Sequence, residues 1–227
     1  MSGDFYWFTE TTPTPLYENK ILVGFKKSKR IFAVIDCTGH GVPGAFMTLI
    51  GNTLLKQIIN EKDIQEPELI LQELDTRLKE TLRLHEPEEV NSAKISDGMD
   101  MSITAIGEQE LCWVGAKHPL IYFQKGALCE IKGSKFPMGG TLYKAKTFEQ
   151  HIIPFQKGDT FYMFTDGYID QMNAQRTRFM SKRLRELLQE TQMLSMSEQK
   201  EVLAERLADW QGDEKQIDDI LVAGICM

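Results

Sequence analysis

The chain has 227 residues, of which 42% are hydrophobic and 26% are charged, with 17 glycines and 8 prolines. These values are typical of a globular protein and exclude a largely disordered, collagen-like or coiled-coil chain. The net charge of −7 at pH 7 argues against general binding to nucleic acid or to an anionic membrane surface.

The first half of the chain opens with two short apolar runs followed by a helical pattern. The runs at 20–25 and 30–35 are separated by the polar, largely basic residues 26–29 and predict a β-hairpin with a basic turn. Residues 44–60 then place apolar side chains at intervals of three and four, which predicts a helix.

A second amphipathic helix is expected to begin near Pro67, because proline is favoured in the first turn of a helix. The segment 86–97 that follows is polar and has no period, so it is expected to be a flexible loop. The apolar stripe of the helix consists of Leu71, Leu74, Leu78 and Leu82.

The second half of the chain is dominated by short strands, which glycine-containing turns separate at intervals typical of an antiparallel meander. Because strands and helices are grouped in blocks and do not alternate strictly, the sequence predicts an α+β layered fold. The predicted strands are 101–106, 110–114, 120–124, 128–132, 147–154 and 160–165, the predicted helices are 181–192 and 197–210, and a closing strand is 217–226.

Aspartates lie beside several of these apolar runs. Asp4 precedes the first apolar residues, Asp36 ends the run 31–35, and Asp166 follows the strand 160–165. Asp218 and Asp219 precede the last apolar run. A single turn aspartate is usually a solvated cap. Carboxylates gathered from distant parts of the chain would repel one another, and Mg²⁺ or Mn²⁺ prefers such ligands, so the set predicts a metal site.

Several short motifs, in this order, resemble metal-dependent serine/threonine protein phosphatases of the protein phosphatase 2C-like superfamily. The similarity is to the bacterial sporulation stage II E-like branch, and it spans essentially the whole chain. The motifs are Gly3-Asp4-Phe5-Tyr6, Asp36-Cys37-Thr38-Gly39-His40-Gly41-Val42-Pro43-Gly44-Ala45, Asp97-Gly98-Met99-Asp100, Gly115-Ala116-Lys117-His118-Pro119-Leu120, Phe136-Pro137-Met138-Gly139, Thr165-Asp166-Gly167 and Asp218-Asp219-Ile220.

The resemblance implies a four-layer α-β-β-α sandwich with two central antiparallel sheets. Residues 1–227 are then expected to form one catalytic domain, excised from a longer signalling protein. In the family, a strand leads into the Gly3-Asp4 motif, and here that strand is expected to be missing or very short. An upstream arginine that binds phosphate in some relatives is also absent from this sequence. A region before the domain is expected to carry a sensor or a membrane anchor, with the phosphatase itself in the cytoplasm.

The resemblance also implies a two-metal centre of Mn²⁺ or Mg²⁺ between the sheets, with a weaker third ion. Asp36 and Asp166 would be the central catalytic carboxylates, and Asp36 would bridge both ions. Asp219 would lie behind the ligands. The further expected ligands are Asp4 for one ion, Asp218 with Asp166 for the other, the carbonyl of Cys37, and Asp97 for the third ion.

The implied activity is hydrolysis of phosphoserine or phosphothreonine on a bacterial regulatory protein, such as an anti-sigma-factor antagonist-like domain, by a water that the two metals activate. Two alternatives remain open at this point. A catalytically inactive module that binds a phosphoprotein would not need the four aspartates, and a haloacid-dehalogenase-type enzyme would need a second aspartate two residues after Asp36, where Thr38 stands. Homodimerisation is also compatible with the sequence.

Other polar residues have ordinary structural explanations. The glycines around His40 indicate a tight turn, and His118 before Pro119 is expected to cap a turn. Asp100 is either a surface or strand-start residue or a residue that contacts the site. Two basic segments, 26–30 and 176–185, are expected to be solvated faces. The four cysteines are widely spaced, which predicts reduced thiols and argues against a zinc site.

Overall fold

The computed structural model describes residues 3–39, 41–82, 98–140 and 145–227. Its strands are β1 (Phe5–Glu10), β2 (Thr14–Glu18), β3 (Ile21–Lys26), β4 (Arg30–Cys37), β5 (Gly98–Ile106), β6 (Glu110–Ala116), β7 (Leu120–Gln124), β8 (Ala127–Ile131), β9 (Met138–Gly139), β10 (His151–Pro154), β11 (Thr160–Phe164) and β12 (Val222–Cys226). Its α-helices are α1 (Val42–Lys56), which continues into a π-helical turn (Gln57–Glu61), α2 (Pro67–Thr81), α3 (Gly167–Asp170), α4 (Met180–Thr191) and α5 (Met196–Gln211).

The strands form two main antiparallel sheets. The first sheet has the order β1-β4-β5-β6-β10, and the short strand β9 adds to β5. The second sheet has the order β12-β11-β7-β8, while β2 and β3 form a separate hairpin. Strand β4 lies inside the first sheet, so its ladder hydrogen bonds are made on both edges.

The side chains of β4 alternate between two cores, as the pleat of a strand requires. Ile31, Ala33 and Ile35 pack with α1 and α2 on one face of the first sheet. Val34 packs on the other face, against Phe161 and other residues of the second sheet. Burial on both faces explains why the sequence of this strand is a continuous apolar run.

A second helix layer covers the outer face of the second sheet. Leu184 and Leu187 of α4 and Leu203 of α5 pack against Tyr162 and Phe164 of β11. Helix α5 begins with a capping box, in which the Ser195 side chain accepts a hydrogen bond from the backbone of Glu198 and the Glu198 side chain accepts one from the backbone of Ser195. The layers therefore run helices, sheet, sheet, helices, which confirms the predicted α-β-β-α sandwich.

Two strand pairings differ from the sequence predictions. The run 20–25 does not pair with 30–35, because β3 pairs with β2 and β4 is flanked by β1 and β5. The predicted meander is also divided, since β5 and β6 belong to the first sheet and β7 and β8 to the second. Strand spacing along the chain cannot distinguish a hairpin turn from a crossing between sheets.

The predicted helices match α1, α2, α4 and α5 to within a few residues. The closing strand was predicted from 217 but begins at Val222, so Asp218 and Asp219 lie in the loop before it. The predicted flexible loop 86–97 lies outside the described residues. In the described part of the chain, no helix has the length and apolar character needed to cross a bilayer.

A buried ion pair ties α2 to the strand segment around β9. The Lys146 side chain is 2% exposed, and its Nζ lies 2.8 Å from Asp75 Oδ1 on α2. The same Nζ donates hydrogen bonds to the carbonyls of Pro137 and Gly139, and the backbone N–H of Gly139 donates to Asp75. This network fixes α2 against the strand that pairs with Gly98 and Met99.

Replacing Lys146 by methionine is expected to lower the free energy of unfolding by about 3 kcal/mol, because the buried Asp75 carboxylate would keep only Lys79 as a cation and two backbone carbonyls would lose their donor. In thermal unfolding this corresponds to a fall in Tm of roughly 10 °C. The matched control is Lys62→Met, which breaks an exposed pair with Glu73 and should cost less than about 1 kcal/mol. Equal losses in the two variants would contradict a structural role for the buried pair.

Candidate active site

Aspartates at the ends of strands from both sheets converge at one edge of the sandwich. Phe5 pairs with Ile35, so Asp4 and Asp36 are neighbours at the same end of β1 and β4. In the second sheet Phe164 pairs with Val222, which brings Asp166 to the same end as the loop before β12. The side chain of Asp36 alternates with Ile35 and therefore points between the sheets.

Close backbone contacts at glycines hold the motifs together. A Cβ at Gly44 would overlap the carbonyl oxygen of Gly39, and a Cβ at Gly3 would lie 2.7 Å from the same oxygen. A Cβ at Gly167 would overlap the carbonyl oxygen of Asp219. Only glycine allows these backbones to approach so closely. The glycines of the sequence motifs thus bring the segments that carry Asp4, Asp36, Asp166 and Asp218 to one place.

Asp219 anchors the N-terminal segment. Its Oδ2 accepts a 2.6 Å hydrogen bond from the backbone N–H of Gly3, and its own backbone N–H donates to Asp218 Oδ1 at 2.8 Å. Asp219 thereby fixes the residue before Asp4, which supports the placement of Asp219 behind the ligands.

Thr165 is a site residue that sequence reasoning passed over. It is buried, its hydroxyl oxygen accepts a 3.0 Å hydrogen bond from the backbone N–H of Leu221, and its side chain hydrogen-bonds Asp4. The available signal was its position directly before Asp166 in the Thr165-Asp166-Gly167 motif. Thr165 therefore links β11, β12 and the N-terminal carboxylate.

The converging carboxylates shift one another's ionisation. The pKa of Asp36 rises to about 7, because the side chain is buried and the charges of Asp166 and Asp218 lie nearby. Burial, opposed by the hydrogen bond from Thr165, raises the pKa of Asp4 to about 7 as well. Burial and the charge of Asp218 raise the pKa of Asp166. This repulsion is what a bound cation would relieve.

The turn between β6 and β7 adds a cation and an imidazole to this edge. Asp100 lies directly opposite Asp36 in the β4–β5 register, and Lys117 Nζ lies 3.4 Å from Asp100 Oδ2. His118 is buried, with Nε2 3.8 Å from Asp36 Oδ2. Asp100 therefore belongs to the site. His118 faces the carboxylates and does not cap the turn, because no described residue hydrogen-bonds either of its ring nitrogens.

Cys37 can contribute only its backbone to a metal site. Its side chain points into the core under α1 and α2, on the opposite face of β4 from Asp36. Burial raises the pKa of the thiol to about 12, so a thiolate is absent at neutral pH. The carbonyl of Cys37, which the sequence predicts as a ligand, stays a prediction.

The donors fit hard divalent cations in chemistry, since the set consists of carboxylate oxygens that repel one another without a cation. As they stand, no three His, Cys, Asp or Glu side chains in the described ranges are close enough to form a ligand set. The carboxylates would have to draw together around an ion. Asp97, expected to bind a third ion, and His40, expected in a tight turn, lie outside the described residues.

The two basic segments are occupied by ion pairs. Lys27 pairs with Glu108 at 2.7 Å, and Lys26 lies 3.6 Å from Asp63. In the second segment, Arg178 contacts Asp170 at 3.0 Å and Arg185 contacts Glu130 at 2.9 Å. Both segments therefore act as parts of the surface ion-pair network, in agreement with the prediction of solvated faces.

Several solved structures are similar to this chain over nearly its whole length. The SiaA-PP2C domain of Pseudomonas aeruginosa is 26% identical, with a TM-score of 0.80 over 100% of this chain and 81% of that one. The PP2C phosphatase domain of SpoIIE from Bacillus subtilis, solved with a fragment of its regulatory domain, is 17% identical, with a TM-score of 0.69 over 99% of this chain and 57% of that one. RsbX in complex with magnesium is 16% identical, with a TM-score of 0.59 over 100% of this chain and 88% of that one.

The similarities to the SpoIIE domain and to RsbX establish the fold alone.

No curated protein matches the chain at a significant level. The family model described as stage II sporulation protein E (SpoIIE) matches residues 26–227, which is most of the chain. This range includes the Asp36, Asp166 and Asp218 motifs, and the N-terminal Asp4 motif joins them in space. The chain therefore belongs to the SpoIIE family of PP2C-like phosphatase domains.

Proposed function

We propose that this domain is an active Mn²⁺- or Mg²⁺-dependent phosphatase for phosphoserine and phosphothreonine in proteins. The observation that carries the proposal is the convergence of Asp4, Asp36, Asp166 and Asp218, with the pKa values of the first two raised to about 7. A module that only binds phosphoproteins would gain nothing from carboxylates that repel one another. The structure of RsbX with magnesium supports a divalent cation in this fold.

Each carboxylate has a distinct position around the centre. Asp36 comes from the middle of the first sheet, Asp4 from its edge, and Asp166 and Asp218 from the second sheet. Divalent cations bound here would lower the pKa of a water and neutralise charge on the phosphoryl oxygens. The protein's own part is to hold the carboxylates on two rigid sheets, with Asp219 and Thr165 fixing Asp4.

We further propose that the substrate is a phosphorylated regulatory protein, such as an anti-sigma-factor antagonist-like domain, and that the enzyme recognises an acidic surface around its phosphorylated residue. A cavity of about 420 Å³ beside the site is lined by Lys117, Lys132 and Lys135. Its carboxylate, Glu130, is ion-paired with Arg185, so the cavity keeps a positive charge in an acidic protein. One similar structure comes from a protein described as a cell fate determinant, which supports a regulatory role.

The test is hydrolysis of two phosphoserine peptides of equal length, one flanked by glutamates and one by lysines. We expect hydrolysis to fall by at least about 10²-fold in EDTA and to return with Mn²⁺ or Mg²⁺. The wild-type enzyme should hydrolyse the glutamate-flanked peptide faster than the lysine-flanked one. In the double variant K132E/K135E the ratio of the two rates should be about tenfold smaller.

The double variant K56E/K157E is the matched control, because it changes two exposed lysines outside the cavity. Activity that survives EDTA would overturn the metal-dependent mechanism. No hydrolysis of either peptide under any metal condition would favour the inactive binding module. A preference that is the same in both double variants would remove the lysine cavity from substrate recognition.

A further inference from the structure

His118 is a buried side chain whose polar atoms have no hydrogen-bond partner in the described part of the chain. The residue is 6% exposed, and neither Nδ1 nor Nε2 is hydrogen-bonded. Leaving a buried donor or acceptor unsatisfied costs about 1–3 kcal/mol. A side chain kept at that cost at the centre of a site calls for a functional explanation.

The imidazole faces carboxylates from both sheets. Its Nε2 lies 3.8 Å from Asp36 Oδ2, which is slightly too long for a hydrogen bond. Asp100, Asp166 and Asp4 are also near enough for their charges to act on the ring. Lys117, the adjacent residue, contacts Asp100 from the solvent side. His118 is thus a buried nitrogen donor that lies close to Asp36.

The backbone around His118 is held firmly. Its N–H donates to the carbonyl of Ala116 at 2.9 Å, and the N–H of Lys117 donates to Ser134 at 2.7 Å. A Cβ at Gly115 or at Gly133 would overlap the carbonyl oxygen of His118, so both segments lie tightly against the turn. The backbone of His118 is therefore fixed, and a small adjustment of the two side chains would bring Nε2 within hydrogen-bond distance of Asp36 Oδ2.

We propose that His118 is a positioning residue, which donates from Nε2 to one oxygen of Asp36 and thereby directs the other oxygen towards the cations. This inference rests on the proposed function, since it assigns Asp36 to a cation site. A carboxylate ligand that accepts a hydrogen bond is oriented before the ion arrives. Removing the donor of that hydrogen bond typically weakens metal affinity about 10–100-fold.

The test measures Mn²⁺ affinity, from the electron paramagnetic resonance signal of free Mn²⁺, together with Tm in EDTA. His118→Leu removes the donor, and His118→Gln places an amide nitrogen near the position of Nε2. We expect the leucine variant to bind Mn²⁺ about 10–100-fold more weakly, with an unchanged or higher Tm in EDTA, because an unsatisfied buried ring is removed. The glutamine variant should recover most of the affinity.

His151→Leu is the matched control, because His151 lies on β10 against Trp113 and away from the carboxylates. Wild-type affinity in the leucine variant would overturn the proposal, and so would equal weakening in the leucine and glutamine variants. If the leucine variant does not fold, the glutamine variant decides alone, since affinity reduced tenfold or more would then contradict the proposed donor. A wild-type protein that binds no Mn²⁺ would instead contradict the proposed function.

Discussion

Replacing Asp36 by asparagine is expected to lower kcat/KM for a phosphoserine peptide by about 10³-fold or more. Asp36 is the carboxylate on which the charges of Asp166 and Asp218 converge, and its side chain points between the sheets. Asparagine keeps the shape of the side chain but removes the negative charge that a cation site needs. The measurement is steady-state hydrolysis with Mn²⁺ in excess.

The same substitution should stabilise the metal-free protein. At pH 8 the Asp36 carboxylate is ionised although its pKa is raised to about 7, so the folded state carries a repulsive charge that asparagine lacks. After allowance for partial exposure, the gain is about 2 kcal/mol, or roughly 6 °C in Tm. Activity and stability therefore move in opposite directions, as expected where a site is destabilised for function.

Asp209→Asn is the matched control, because Asp209 is exposed on α5. It should change neither kcat/KM nor Tm beyond experimental error. If D36N retained activity within tenfold, Asp36 would not be a central ligand. If D36N lost activity and stability together, the loss would reflect misfolding, and the repulsion described for the metal-free site would be absent.

The stability of the metal-free protein is expected to fall as pH rises from 5.5 to 8. Tm is to be measured at intervals of about one pH unit over this range. The pKa values of Asp4 and Asp36 are about 7 in the folded protein, mainly because of burial, and near the ordinary value of 3.8 in the unfolded chain. Between these values the folded state binds more protons, so the stabilising contribution is complete below about pH 4 and is lost as pH rises through 7. A fall in Tm of roughly 5–10 °C is expected.

Mn²⁺ should reverse this trend, because cations bind the ionised carboxylates. The rise in Tm that Mn²⁺ causes should be small at pH 5.5 and largest at pH 8. Differential scanning calorimetry in EDTA and in excess Mn²⁺ measures both effects. In D36N the slope in EDTA should be clearly reduced. A Tm that is independent of pH in EDTA would show that the carboxylates ionise without cost, against the close approach seen here.

Short motifs predict the carboxylates that the structure brings together. Asp36 and Asp166 follow apolar strands, and glycines stand beside them where backbones must approach closely, which is a local signal. Thr165 and Lys117 were passed over, because threonine and lysine are common in turns and their neighbours in space are remote in sequence. The prediction that His118 caps a turn is wrong for the same reason. Its burial beside Asp36 depends on where the chain crosses from the first sheet to the second.

Local sequence patterns predict the four long helices, most of the strands and the chemical groups of the site, because periodicity and motif residues act over a few positions. Long-range packing determines which strands pair, how the run 101–132 divides between two sheets, and that Asp36 lies next to Asp100 and His118. These contacts join residues far apart in the chain. They depend on how two sheets and two helix layers bury their apolar faces together, and local sequence carries little record of that.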